Sequence, residues 1–271
     1  FPTSGLHVCY QYQYDIPVDA NGNKSGSPEI NLSLRYETIT AVDFPIRTKF
    51  SIGAMFDLQK AHGLNLEDEA VKYLGGEAKF TQDQYGLDLM DDASGNAGAA
   101  DAVTEWDATI QSGQEWLWKK HELWDRIEQG SNNIWSKTLR AVATFMVCGN
   151  NVARVIKQLP DFKASGGLNG KNVPTGPVII GTWLGRTIVQ NPLMRDAGGV
   201  LGTNRYFLGY RGPDFLHSAM VHAPYIPLYA TPTIITSDTM AQKGFLTSSG
   251  FKVINYGMFC RGNIANLGVS A

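Results

Sequence analysis

Two runs of alternating apolar and polar residues open the chain. Residues 6–18, LHVCYQYQYDIPV, are rich in Tyr and Val, and residues 30–42, INLSLRYETITAV, alternate through Ile30, Leu32, Leu34 and Tyr36. Between them DANGNKSGSPE, residues 19–29, is a turn-forming cluster, so the three pieces predict a long β-hairpin. A thin hairpin has little core of its own and leans on a neighbour.

The spacing then becomes helical. Phe50, Ile52, Met55, Phe56 and Leu58 form one broad face over residues 49–61, and Gly63 stops that helix. Asn65 caps a second helix, LEDEAVKYL, with acids in its first turn and Gly75 after its end. Residues 75–102 are rich in Gly, Ala and Asp and read as a loop with at most a short strand. Val103, Trp106, Ile110, Leu117, Trp124 and Ile127 recur at three, four or seven residues and predict a long helix over 103–129, stopped by Gly130.

Strands dominate the remainder. VATFMVCG, residues 142–149, reads as a buried strand, and NVARVIKQL, residues 151–159, as a short helix ended by Pro160. Residues 178–191 suggest two strands around Gly185, with long Gly-rich loops over 161–177 and 192–204. The runs GYRGPDFLHSAMVHAPYIPL (209–228) and KGFLTSSGFKVINYGMF (243–259) predict paired strands, with Pro224 and Pro227 marking a sheet edge. The order of elements is α+β, without regular βαβ alternation.

Composition narrows the function. With 271 residues, 43% of them hydrophobic, and a net charge of -2, the chain can bury a real core but lacks the basic excess of a dedicated nucleic-acid binder. Three scattered cysteines, Cys9, Cys148 and Cys260, give neither a zinc spacing nor a disulfide framework and read as free thiols. No apolar run approaches membrane-spanning length and no signal peptide is present; the start at Phe1-Pro2 implies an upstream segment that is either cleaved or missing from the sequence.

Candidate chemistry fails site by site. The tip places Asp19, Asn21, Asn23 and Ser25 like calcium ligands, but Lys24 stands where the loop needs glycine and Ile30 where it needs a bidentate acid. His121 lacks a second histidine at the metalloprotease spacing, and His217 and His222 point to opposite faces of a strand. Asp91 and Asp92 read as a solvated turn. No phosphate-cradling or hydrolase motif occurs, so neither a catalytic residue, a metal nor a cofactor is implied. Trp106 and Trp124 fit the core stripe. Trp116 and Trp118 belong either to a second buried face against a neighbouring subunit or to the same intramolecular core.

Residues 29–74, the long helix leading into TLRAVATFMVCGNNVARVI (138–156), and the C-terminal run together resemble the major head protein of contractile-tailed bacteriophages. The ordered signatures are an AHGL helix break, FLGYRG, APYIPL and GFLTSSG; the last lacks the Arg-Tyr pair usual in the family. The resemblance implies an HK97-like capsid fold. Residues 1–47 would be an N-terminal segment and an extended hairpin, the E-loop. Residues 48–102 and 205–271 would form a peripheral domain with a spine helix, and residues 103–204 an axial domain. It further implies self-assembly into hexameric and pentameric capsomers of an icosahedral head enclosing DNA, in the virion, after assembly in the host cytoplasm. Vertex, portal and decoration proteins would be partners, and no membrane. Asn21, Gly22 and Lys24 at the tip, with Arg186, Arg195, Asp196 and Arg205, are candidate inter-subunit contacts. The alternatives within the fold are a pentameric vertex paralogue or a nanocompartment shell; outside it, a soluble enzyme or a carbohydrate-binding module using the Trp-rich helix.

Overall fold

The computed structural model describes residues 5–13, 30–103, 105–110, 115–139, 142–165, 176–195, 204–213, 218–235 and 239–266. The hairpin is present: β1 (Gly5–Gln13) pairs antiparallel with β2 (Ile30–Thr38), Gly5 opposite Thr38 and Gln13 opposite Ile30. These two strands make a sheet of their own.

A second sheet is centred on β12 (Met240–Val253). One edge of β12 takes β3 (Ala41–Ser51); the other takes β10 (Met220–Ala230) and the two-residue β11 (Ile234–Ile235), all antiparallel. The register of β10 slips between Pro224 and Ile226 and again between Ile226 and Tyr229, as expected where proline interrupts an edge ladder.

The third sheet has seven strands, ordered β4 (Trp106–Asp107), β13 (Phe259–Ala265), β9 (Arg205–Gly209), β5 (Phe145–Cys148), β8 (Arg186–Gln190), β7 (Val178–Trp183) and β6 (Lys163–Ala164). Leu184 and Gly185, both at positive φ, close the β7–β8 hairpin as a two-residue turn. Both faces of the central strands are buried, and alternation sorts their side chains. Met146, Cys148, Ile188, Tyr206, Leu208 and Cys260 pack on one side against helices α3 (Trp116–Thr138) and α4 (Asn150–Ile156). Val147, Phe207 and Phe259 pack on the other, against Ala93, Met90 and Leu87 of helix α2 (Leu66–Ser94). Strands β9 and β13 thus lie in the same sheet as β5, β7 and β8, across the boundary expected at residue 205.

Three helix expectations need correction. The first helix, α1 (Ile52–His62), begins three residues later than expected, because Lys49, Phe50 and Ser51 are held in the ladder by Gln242, Ala241 and Met240. Ser51 caps the new start, its Oγ accepting from Ala54 N–H at 3.1 Å, and Gly63 closes the other end at φ 66, as read. Helix α2 starts at the Asn65 cap but does not stop at Gly75; it runs 29 residues, and residues 75–94, expected as loop, are helical. Tertiary packing overrides the glycine penalty here. Tyr85 sits between Phe44 and Phe251, with ring centroids 5.5 and 5.7 Å away, and Gly86 lets the Phe251 ring lie against the helix.

The helix expected over 103–129 lies at Trp116–Thr138 instead. Val103 and Trp106 belong to an extended run that docks beside β13, with Val103 N–H donating to Arg261 O at 2.9 Å and Ala108 N–H to Ala265 O at 3.0 Å. Gly130 is not a stop. It is a close-packing point inside α3, where a Cβ would stand 2.6 Å from Leu208 Cδ1 and 2.8 Å from Val103 Cγ2. The true buried stripe is Lys120, Leu123, Ile127, Gly130, Ser131 and Ile134.

Candidate assembly interface

The hairpin tip with Asn21, Gly22 and Lys24, and also Asp196 and His217, lie outside the described residues. Arg195 follows β8 and is exposed; its charge acts on Asp88, whose carboxyl burial pushes up while the Gln84 hydrogen bond and Arg195 pull it down. Arg186 and Arg205 are buried and engaged within the chain. Arg186, at the start of β8, makes a bidentate pair with Glu128 of α3 at 2.6 and 2.8 Å, and its Nε donates to Ala143 O at 3.3 Å.

Arg205 meets Asp91 at 3.0 Å. Asp91 is not in a solvated turn, as the sequence suggested, but in the last turn of α2, where it faces β9 and β13. Arg261 of β13 lies 3.5 Å from the other Asp91 oxygen, donates from Nη2 to Asp91 O, and donates from Nε to Ser94 Oγ at 3.1 Å. A guanidinium thus caps the carbonyl end of the long helix. Gly95 leaves room for it, since a Cβ there would overlap the guanidinium of Arg261. Burial raises the Asp91 pKa although Arg261 and Arg205 both pull it down, and burial lowers that of Arg261. The other end of α2 is tied by Glu67 to Lys243 at 2.8 Å and to the Thr233 hydroxyl. Those two hydrogen bonds hold the Glu67 carboxyl below its usual range.

The remaining candidates are structural. His222 stacks on Phe251 at 4.5 Å and contacts Gln82 at 2.9 Å; His121 stacks on Trp124 at 5.8 Å. Trp106 is buried, Trp116 and Trp124 are half-buried against the same core, and Trp118 is 69% exposed, so the four do not form one platform. Cys148 and Cys260 are free buried thiols, both pushed by burial up to about 12. Among the described residues no three His, Cys, Asp or Glu side chains gather as a metal site, and no helix is long and apolar enough to cross a membrane.

What the sequence reading missed is a set of apolar side chains displayed to solvent. Tyr225, Leu228 and Tyr229 of β10 and Ile234 and Ile235 of β11 are all exposed. Isolated exposed hydrophobics are ordinary; these five fall within eleven residues of β10 and β11. Proline punctuation identified the edge; nothing local in the sequence says that its apolar positions face outward.

A family model described as Major capsid protein Gp23 matches residues 12–263. No curated protein gives a significant sequence match. Among solved structures, a chain from the capsid of Myoviridae phage XM1 superposes with a TM-score of 0.51 at 12% identity, covering 96% of this chain and 84% of that one. A chain from the capsid of cyanophage P-SCSP1u gives 0.57 at 10% identity, over 97% and 84%. A chain from Mycobacterium phage Adephagia gives 0.55 at 12%, over 97% and 85%. At these identities the likeness speaks to the fold, which is shared across nearly the whole chain.

Proposed function

From the premise that the chain belongs to the Gp23 family of major capsid proteins, we propose that its copies form hexameric and pentameric capsomers of an icosahedral phage head that encloses the DNA genome. Its role as a structural component of the capsid, and so of the virion, follows from the family itself. The finer architecture we assign is HK97-like. The hairpin within residues 1–47 is the E-loop. The sheet around β12, with α1 and α2 as a spine broken at His62-Gly63, is the core of the peripheral domain (48–102 and 205–271). The seven-stranded sheet with α3 and α4 carries the axial domain (103–204) and recruits β9 and β13.

The observation that carries this reading is the hairpin. Among the described residues it pairs within itself and joins neither of the other sheets. A two-stranded hairpin of nine residue pairs is marginal alone, and a neighbouring subunit supplies the surface that completes it. Heterologous contacts of this kind close rings, as capsomers require. Arg186 and Arg205 act inside the subunit, bracing α3 and α2 on the seven-stranded sheet. The contact role therefore falls to Asn21, Gly22, Lys24, Arg195 and Asp196. Vertex, portal and decoration proteins, non-specifically enclosed DNA, and assembly in the host cytoplasm belong to the same proposal.

Electron microscopy of the expressed protein tests it: closed shells or capsomers are expected, and a strictly monomeric protein refutes it. Deleting residues 20–28 should abolish shells while leaving the subunit's thermal unfolding intact. Normal shells from that deletion would remove the E-loop assignment.

A further inference from the structure

The first turn of α3 lies open. The N–H groups of a helix's first turn have no partner inside it. Here Trp118 N–H and Lys119 N–H fold back onto Glu115 O at 3.1 and 3.3 Å. Those of Trp116 and Leu117 meet no acceptor among the described residues. Glu115, in the cap position, makes no side-chain cap bond. A helix of 23 residues therefore keeps the positive end of its dipole uncapped.

Lys120 says what that turn is fitted to hold. It is only 9% exposed, yet no carboxylate and no hydrogen-bond acceptor meets its ammonium among the described residues. Helical side chains lean toward the N-terminus, and Lys120 follows: its Nζ reaches back one turn and sits 5.5 Å from the centre of the Trp116 ring. The ring gives the cation one face and leaves its N–H donors without an acceptor. A lysine this buried is normally paired. Nearby carboxylates are engaged elsewhere. Glu122 holds Lys119 at 2.7 Å, and Asp107 accepts from Thr109 N–H at 2.9 Å and from Asn266 Nδ2 at 3.0 Å. Trp116 is itself held in place, packed against the core with its ring 6.3 Å from that of buried Trp106.

We propose that Lys120 and the first turn of α3 form an oxyanion site that takes a phosphate or carboxylate group. The group accepts from Lys120 Nζ and from the amides of Trp116 and Leu117, and the helix dipole favours its charge. Glu115, exposed at the cap, is the charge on this turn that opposes it. The site uses neither the hairpin nor the β12 sheet, and it does not depend on the capsomer reading.

The unassembled full-length subunit is titrated by calorimetry with inorganic phosphate and, separately, with acetate, in chloride buffer of matched ionic strength. Saturable binding of at least one of the two is expected, and the tighter one identifies the oxyanion. Lys120→Met keeps the stem over Trp116 and removes the charge; it should weaken binding at least about tenfold, as the loss of a charge-assisted hydrogen bond does. Glu115→Gln should tighten it about two- to fivefold, the effect of a charge at a helix end. Acetylation of Lys120 in wild type, followed by mass spectrometry, tests the same contact without a variant. With the anion at about ten times its Kd the rate should fall about tenfold, since about a tenth of the sites stay free. Absence of saturable binding by either anion overturns the proposal. So does undiminished binding by a folded Lys120→Met variant, weaker binding by Glu115→Gln, or a Lys120 acetylation rate that the anion leaves unchanged.

Discussion

Replacing glycine by alanine at two helical positions should change stability with opposite signs, and the space around each Cα decides which. In an open helix interior, alanine gains about 1 kcal/mol over glycine, because glycine gives up more backbone freedom on folding. Gly76 of α2 has nothing within 4 Å of an added Cβ, so Gly76→Ala should gain about 0.5–1 kcal/mol. Gly130 of α3 offers no such room. The new methyl would lie 2.6 Å from Leu208 Cδ1, 2.8 Å from Val103 Cγ2 and 3.4 Å from Cys260 Sγ. Carbon atoms rest about 3.5–4.0 Å apart, so two contacts are short by about 1 Å. Leu208 is fully buried, and the Glu128–Arg186 pair two residues upstream pins the helix against retreat. Overpacking costs about 1–3 kcal/mol, and two contacts this short put Gly130→Ala in the upper part of that range; less the helix gain of about 1 kcal/mol, the variant should be about 1–2 kcal/mol less stable than wild type. Urea unfolding of the unassembled subunit reads both changes as midpoint shifts at constant slope. A Gly130→Ala variant as stable as wild type would refute the packing argument, and a destabilised Gly76→Ala variant would show that the glycine is required by something other than space.

Two carboxylates should give opposite pH signatures. Burial raises Asp91 above its ordinary value of 3.8, so the folded state holds that proton more tightly, and this group's contribution to stability declines as pH rises through the raised value. Asp91→Asn should remove that part of the pH dependence, and an unchanged profile in unfolding experiments would contradict the assignment. Glu67 is lowered by the Lys243 and Thr233 hydrogen bonds, so its contribution is present above the ordinary carboxylate pKa and is lost as pH falls through the depressed one. Being partly exposed it is worth less than about 1 kcal/mol, and Glu67→Gln should lose that increment at neutral pH and low salt but not in acid. Cys148 and Cys260, buried and raised to about 12, should resist a maleimide in the native subunit and react only on unfolding. Fast native labelling at either position would contradict their placement in the core.

Local rules carried the sequence reading wherever the determining contacts were themselves local. The hairpin, the Gly63 stop of α1, the β7–β8 turn and the buried strand β5 all follow from period-two alternation or from caps and turns a few residues apart. The failures share one cause. Gly75 and Gly130 read as stops because an isolated glycine weakens a helix, yet Gly130 is set by side chains from residues 103, 208 and 260. The stripe from Val103 to Ile127 mixed two elements whose apolar positions coincide in phase, because a strand bound to β13 and a helix over the same sheet bury the same side of the chain. Asp91 looked like a turn acid because its partners, Arg205 and Arg261, are more than a hundred residues away. The family signatures identified the role correctly, since an ordered set of weak motifs is a property of the whole chain. They did not identify the contacts, since a surface is defined by what the fold leaves uncovered.

The long helix has a mechanical consequence. At about 1.5 Å per residue, α2 is a rod of about 43 Å. Glu67 anchors one end to the strands at the far end of the β12 sheet, and Asp91 with Arg261 anchors the other to the seven-stranded sheet. A rod fastened at both ends turns any rotation of one sheet against the other into bending of its shaft. Tyr85, lodged between Phe44 and Phe251, fastens the shaft to the β12 sheet a second time, so only the turns from Gly86 to Asp91 span the two sheets and take up that bending.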